Sequence, residues 1–167
     1  MSEYVHSPQS DRPSTSFVFQ RVPVDLAPDE LYHLVFEELY RDWEVQFNQN
    51  WYEAELGGSF LLLRDGAFGA DSALLGALRL MPHKAREAEG LQIRQVVVNP
   101  LHRRGGIGRA LMETAEAIGR KEGHRRMWLK AREPAWGFYE KLGYRSVSGV
   151  YLSPLTKIPH RTMEKVL

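Results

Sequence analysis

The 167-residue chain contains no cysteine, which removes disulfides, thiolate catalysis and cysteine-ligated zinc together. Its histidines, at positions 6, 33, 83, 102, 124 and 160, fall into neither an H-x-x-x-H nor an HExxH spacing, so no metal site is expected. No apolar run approaches the ~20 residues that span a bilayer. Residues 1–16 are polar, carry Pro8 and Pro13, and lack the apolar centre of a secretory signal. The expectation is a cytoplasmic chain with a flexible N-terminus over 1–15 and one domain over 16–167. A large charge of one sign is also missing: the net charge is +1, which gives no global signature for nucleic acid or membrane.

What charge there is, is unevenly placed. Acidic residues dominate positions 25–90, and basic residues dominate 101–132. The basic half contains the stretch around which the chain is organised, Leu91 to Gly123. Gln92 to Val98 is β-branched and apolar toward its end, as an interior strand should be. Asn99-Pro100 stops it, because proline cannot donate to a ladder. Gly105, Gly106 and Gly108 form a tight turn. From Ile107 the apolar residues recur at helical spacing through Ala110, Leu111, Ala115 and Ile118, and Gly123 is placed to end that helix. The first N–H groups of such a helix have no intrahelical partner and carry a partial positive charge. With Arg103, Arg104 and Arg109 around the turn, this is a phosphate site.

Two common phosphate patterns are absent. No Gly-Lys-Ser/Thr follows the glycines, so the turn is not a Walker loop. Gly106-Ile107-Gly108 is followed by Arg109-Ala110-Leu111, so the third glycine of the dinucleotide fingerprint is missing. What remains is Arg103-x-x-Gly106-x-Gly108.

Taken in order, the chain reads as a strand at Ser16–Val22 and a helix opened by Pro28-Asp29-Glu30 with Leu31, Leu34, Val35 and Leu39 on its apolar face. A loop at Tyr40–Trp43 and a short second helix or irregular segment at Val45–Asn50 come next. Strands follow at Ser59–Arg64 and Ala73–Leu80, joined through a turn ending at Gly69, and a polar connection leads to the central strand, turn and helix. Then come a strand at Arg126–Ala131, a short helix at Glu133–Gly143, a strand at Tyr144–Tyr151 and a last strand at Arg161–Leu167. This order predicts an α/β mixed sheet with helices on both faces.

Arg103-x-x-Gly106-x-Gly108 between a strand and a helix, followed one strand later by Gly137-Phe138-Tyr139-Glu140-Lys141-Leu142-Gly143-Tyr144, resembles the GNAT N-acetyltransferase superfamily. The resemblance runs from about Phe17 to Leu167. It implies a GNAT-like fold: a central, mostly antiparallel twisted sheet with a splayed parallel pair. It also implies transfer of the acetyl group of acetyl-CoA, the one cofactor expected, to a primary amine by direct attack in a ternary complex. The acceptor would be a small molecule or a protein amine. Neither a nucleic acid nor a membrane is expected as partner, and a homodimer is compatible with the family.

By the same resemblance, acetyl-CoA would be held by Arg103, Arg104, Gly105, Gly106, Ile107, Gly108 and Arg109 at its pyrophosphate. The backbone around Val96, Val97 and Val98 would hold its pantetheine arm in β-addition mode, and an N–H near Val96 would polarise the thioester carbonyl. Tyr139 takes the place of the acid that protonates the departing thiolate. Two departures stand out. Gln92 stands where some members carry a glutamate base, leaving His83, Glu87, Glu89 or a water chain. Arg132 stands where many have a cofactor-binding asparagine, and it could reach a CoA phosphate or a substrate carboxylate. Tyr40, Arg41, Asp42, Trp43, Phe47, Trp51, Tyr52, His83 and Arg86 fall where such folds build the acceptor pocket. The two departures keep a second reading open, a non-catalytic acyl-CoA-binding or sensor module. A nucleic-acid-binding domain using the basic 103–132 region is the third.

Overall fold

A computed structural model describes residues 3–5, 17–42, 58–66, 72–82, 90–103, 105–154 and 156–167. The expected segment at Val45–Asn50, most of the 65–69 turn, and Trp43, Trp51, Tyr52, His83, Arg86, Glu87, Glu89 and Arg104 lie outside the described residues.

Nine strands form one sheet among the described residues: β1 Glu3–Val5, β2 Phe17–Pro23, β3 Ser59–Asp65, β4 Leu74–Pro82, β5 Gly90–Val98, β6 Arg126–Arg132, β7 Arg145–Ser146, β8 Tyr151–Leu152 and β9 Pro159–Val166. Their spatial order is β1-β2-β3-β4-β5-β6-β9-β7, with β8 also on β9. All neighbours are antiparallel except β5 and β6. The helices are α1 Asp29–Val35, α2 Ile107–Lys121 and α3 Trp136–Lys141. The sheet is thus the mixed, mostly antiparallel one expected. β1 is a strand that the sequence reading does not place. The expected strand Tyr144–Tyr151 is two separate two-residue strands, because Ser148 and Gly149 break the ladder between them.

Strand alternation divides the core between the two faces. Leu61, Leu63, Leu78, Leu80, Leu91, Ile93, Met127 and Leu129 pack beneath α2 through Leu111, Met112, Ala115 and Ile118. Phe60, Leu62, Ala77 and Val97 pack against α1 through Leu31 and Val35. Helix α1 begins behind Pro28 with Asp29 and Glu30 in its first turn, where acids suit the dipole. Glu30 also ties it to the sheet, accepting from the Leu74 N–H at 2.8 Å and from Arg64 at 3.0 Å. The helix continues as a π-helical turn, Phe36–Tyr40. Helix α2 ends in a Schellman motif, as Gly123 predicts: Gly123 has φ +83°, its N–H donates to Arg120, and the His124 N–H donates to Gly119.

Two features of β5 shape everything that follows. Its parallel pairing with β6 runs only from Gly90↔Arg126 to Ile93↔Leu129; beyond that the two strands splay. On its other edge the register with β4 shifts between Ala77 and Arg79. Gln95 is the extra residue there, at φ 51°, a bulge that bends the strand. The extra residue reverses the alternation, so Val96 and Val98 pack on the α2 face and Val97 on the α1 face.

Candidate functional site

The splay opens a cavity of about 390 Å³. Its walls come from β5 (Gln92 to Val96), from β6 (Leu129 to Arg132), from the π-helical turn (Leu39, Tyr40), from α3 (Tyr139) and the residue that caps it (Ala135), and from the β8–β9 region (Tyr151, Ser153, His160).

Tyr139 is positioned by a short helix fixed at both ends. At the start, the Trp136 indole N–H donates to the Ala131 carbonyl at 2.8 Å, and the Arg161 guanidinium lies 4.1 Å over the Trp136 ring. At the end, the Tyr139 carbonyl accepts from the N–H groups of Leu142 and Tyr144, both at 3.0 Å. The ring packs edge-on against Phe138 and Tyr144, at 5.1 and 5.9 Å between centroids, and the residue is 7% exposed. Burial pushes the hydroxyl well above the usual phenol range, so it keeps its proton at neutral pH.

The glycine turn lies at the N-terminus of α2. Gly106, at φ 75°, is its N-cap, a left-handed conformation that costs an L side chain about 1–2 kcal/mol. Ala110 donates to the Gly106 carbonyl at 2.9 Å, so the amides before it begin the helix without intrahelical acceptors. Ile107 is core. Gly108 is small for a packing reason: a Cβ there would lie 3.2 Å from the Phe138 ring. Arg103 is exposed and pairs with Glu38 at 2.5 Å, and Arg109 with Glu113 at 2.7 Å. The hydrogen-bonded Glu113 raises the Arg109 guanidinium above its ordinary range.

The predicted residues therefore form two groups. Tyr139, Val96 and Arg132 line the cavity, and Arg103, Gly105, Gly106, Ile107, Gly108 and Arg109 form the turn, while Val97 and Val98 pack in the core and line neither. Arg132 donates to the Leu39 carbonyl at 2.7 Å, bridging β6 to the π-helical turn, and burial lowers its pKa. Gln92 is buried and lines the cavity. Of the expected acceptor residues, Tyr40 is in the wall, where its hydroxyl takes a long 3.4 Å hydrogen bond from Gln95.

Sequence reading missed Arg94, Lys130 and His160 in this wall. His160 is 9% exposed, with its Nδ1 2.8 Å from the Ile158 carbonyl and its ring stacked on Tyr151. A carbonyl only accepts, so the neutral ring carries its proton on Nδ1 and its lone pair on Nε2. Alternation in the last strand was the available signal, since it puts His160 on one face with Thr162 and Glu164.

A family model described as the acetyltransferase (GNAT) family matches residues 28–144. A Bacillus subtilis protein assigned as an acetyltransferase is 32% identical over 74 residues, covering 44% of this chain and 49% of its own. The glucosamine 6-phosphate N-acetyltransferase of Trypanosoma brucei brucei is 35% identical over 71 residues, covering 42% and 48%. The chain spans about half the length of these curated relatives. The crystal structure of an acyl-CoA N-acyltransferase from Pseudomonas aeruginosa superposes with a TM-score of 0.71, at 23% identity, over 90% of this chain and 99% of that one. At that identity the likeness is one of fold.

Proposed function

The chain belongs to the GNAT acetyltransferase family, and from that premise we propose that it transfers the acetyl group of acetyl-CoA to a primary amine by direct attack in a ternary complex. The observation that carries the reading is the splay of β5 from β6 with a buried, protonated tyrosine in its wall. Among the described residues, the β5 edge past Ile93 has no strand partner on the β6 side, so an extended amide-bearing arm can add to it around Val96–Val98. The amides behind Gly106, with Arg103, Arg104 and Arg109, suit a pyrophosphate. These residues fit acetyl-CoA, which supplies the activated acetyl group when bound.

The chain's own residues supply the proton traffic. Tyr139 holds a proton at Oη and gives it to the leaving sulfur. The desolvation that makes the phenol a weak acid also raises the basicity of a thiolate in the same cavity, so the transfer stays balanced. His160 offers Nε2 as acceptor for the proton of the incoming ammonium, the role Gln92 cannot fill. Release of free thiol from acetyl-CoA across a panel of amines tests the reading. Amine-dependent release is the expected result. Acetyl-CoA binding with no release for any amine would favour the non-catalytic acyl-CoA module instead.

A further inference from the structure

We propose that Glu116, in the third turn of α2, is a positioning residue for the reaction: through Tyr144 it fixes the end of α3, and with it the direction in which Tyr139 holds its hydroxyl. The inference rests on the acetyltransferase reading, in which Tyr139 is the acid, and names a residue outside the cavity wall on which that acid depends.

Glu116 is an acid on the buried side of a helix. It is 4% exposed, between the core residues Ala115 and Ile118, and glutamate is rarely this buried unless paired. Both of its oxygens are engaged. The Lys165 ammonium donates to Oε1 at 3.0 Å and to Oε2 at 2.9 Å, and the Tyr144 hydroxyl donates to Oε1 at 3.2 Å. Arg120, one turn further along α2, stands 3.8 Å from Oε2. The network joins three elements: Glu116 belongs to α2, Lys165 to β9, and Tyr144 follows the end of α3. Lys165 also lies against that end, since a Cβ on Gly143 would sit 3.4 Å from its Cε, and its Nζ is 5.8 Å from the centre of the Tyr144 ring.

Tyr144 is where this network meets the acid. Its N–H donates to the Tyr139 carbonyl at 3.0 Å, and its ring packs edge-on against the Tyr139 ring at 5.9 Å. Burial first, and then the charge of Glu116, push the Tyr144 hydroxyl above the usual phenol range, so it stays a donor. Helix α3 is thus seated on α2 at two points. Phe138 lies against Gly108, and Tyr144 is bonded to Glu116 about two turns further on. Tyr139 stands between them. A helix of 6 residues is too short to hold its own conformation, so these contacts, with the Trp136 anchor, set where Tyr139 points.

Stability does not require charge at this place. Taking two charges out of water is offset only in part by their attraction, and apolar side chains of similar volume often serve as well or better. What the carboxylate adds is direction, because a hydrogen bond holds Tyr144 to one place on α2. A proton donor needs that precision: a misplacement of about 1 Å can cost on the order of 10²-fold in rate.

The test is a double-mutant cycle read in kcat at saturating acetyl-CoA, with the amine that gives the fastest thiol release. Tyr144→Phe keeps the ring and gives up the bond to Glu116; Glu116→Leu removes the acceptor. Each should lower kcat about tenfold and leave the acetyl-CoA Kd unchanged by calorimetry. Glu116→Gln, which still offers an oxygen to Tyr144, should lose less than Glu116→Leu. In a Tyr139→Phe background, where no phenol is left to aim, the same changes should alter kcat less than about twofold. A merely structural role would lower kcat by the same factor in both backgrounds. That result, or full kcat in Tyr144→Phe, would overturn the proposal and leave the acetyltransferase reading standing; Tyr144→Phe decides alone if Glu116→Leu does not fold. No amine-dependent thiol release, or Tyr139→Phe turning over as fast as the unsubstituted protein, would instead overturn the reading of Tyr139 as the acid, and this proposal with it.

Discussion

Tyr139 owes its chemistry to its surroundings. A phenol near the surface would titrate around pH ~10; this one is enclosed by Phe138, Tyr144 and the cavity wall, and its proton is held more tightly still. Raising the pKa of an acid extends its protonated range upward, so Tyr139 stays protonated throughout the neutral and mildly alkaline range. Tyr139→Phe keeps the packing and removes the proton; turnover should fall by roughly 10²–10⁴ with acetyl-CoA affinity little changed, as steady-state kinetics beside calorimetry would read. For His160 the proposed role is the opposite one, accepting a proton at Nε2 rather than giving one. His160→Asn should lower kcat with acetyl-CoA affinity little changed; a loss of acetyl-CoA affinity in step with the rate would make the residue structural.

At the scale of elements, the glycine turn and the bulge do the positioning. Gly106 and Gly123 both sit at positive φ, one at each end of α2, and around Gly123 there is open space. Alanine at either position should cost about 1–2 kcal/mol of backbone strain, a fall in Tm of a few degrees for a chain of this size. Only Gly106→Ala should also weaken CoA binding. Equal CoA affinity in the two variants would remove the turn from the site. The turn was legible in the sequence, because glycine and arginine at fixed spacing before a helical period have few other physical uses. The bulge was not. Gln95 carries no glycine to mark its left-handed φ, and the run Val96-Val97-Val98 has no polar residue whose position would betray the shift. The π-helical turn was equally hidden, since Phe36 to Tyr40 continues the composition of an ordinary helix.

For the molecule as a whole, the order of strands and helices was readable from periodicity and punctuation, and Gly123 and Gly143 end their helices where expected. The make-up of the cavity wall was not readable. Acidic residues dominate positions 25–90 of the sequence, yet the cavity wall draws Arg94, Lys130 and Arg132 from elsewhere, brought together by strand register across more than thirty positions. Charge along a chain and charge around a cavity are different quantities, and only pairing converts one into the other. We propose that the splayed β5–β6 pair and the Gly106 turn together form an acetyl-CoA site. Calorimetric titration of the purified protein with acetyl-CoA, with ATP and NAD as controls, tests it most directly. The expected result is one site per chain with affinity on the order of micromolar for acetyl-CoA and no comparable heat from ATP or NAD. A folded protein that binds all three alike, or none of them, would contradict it.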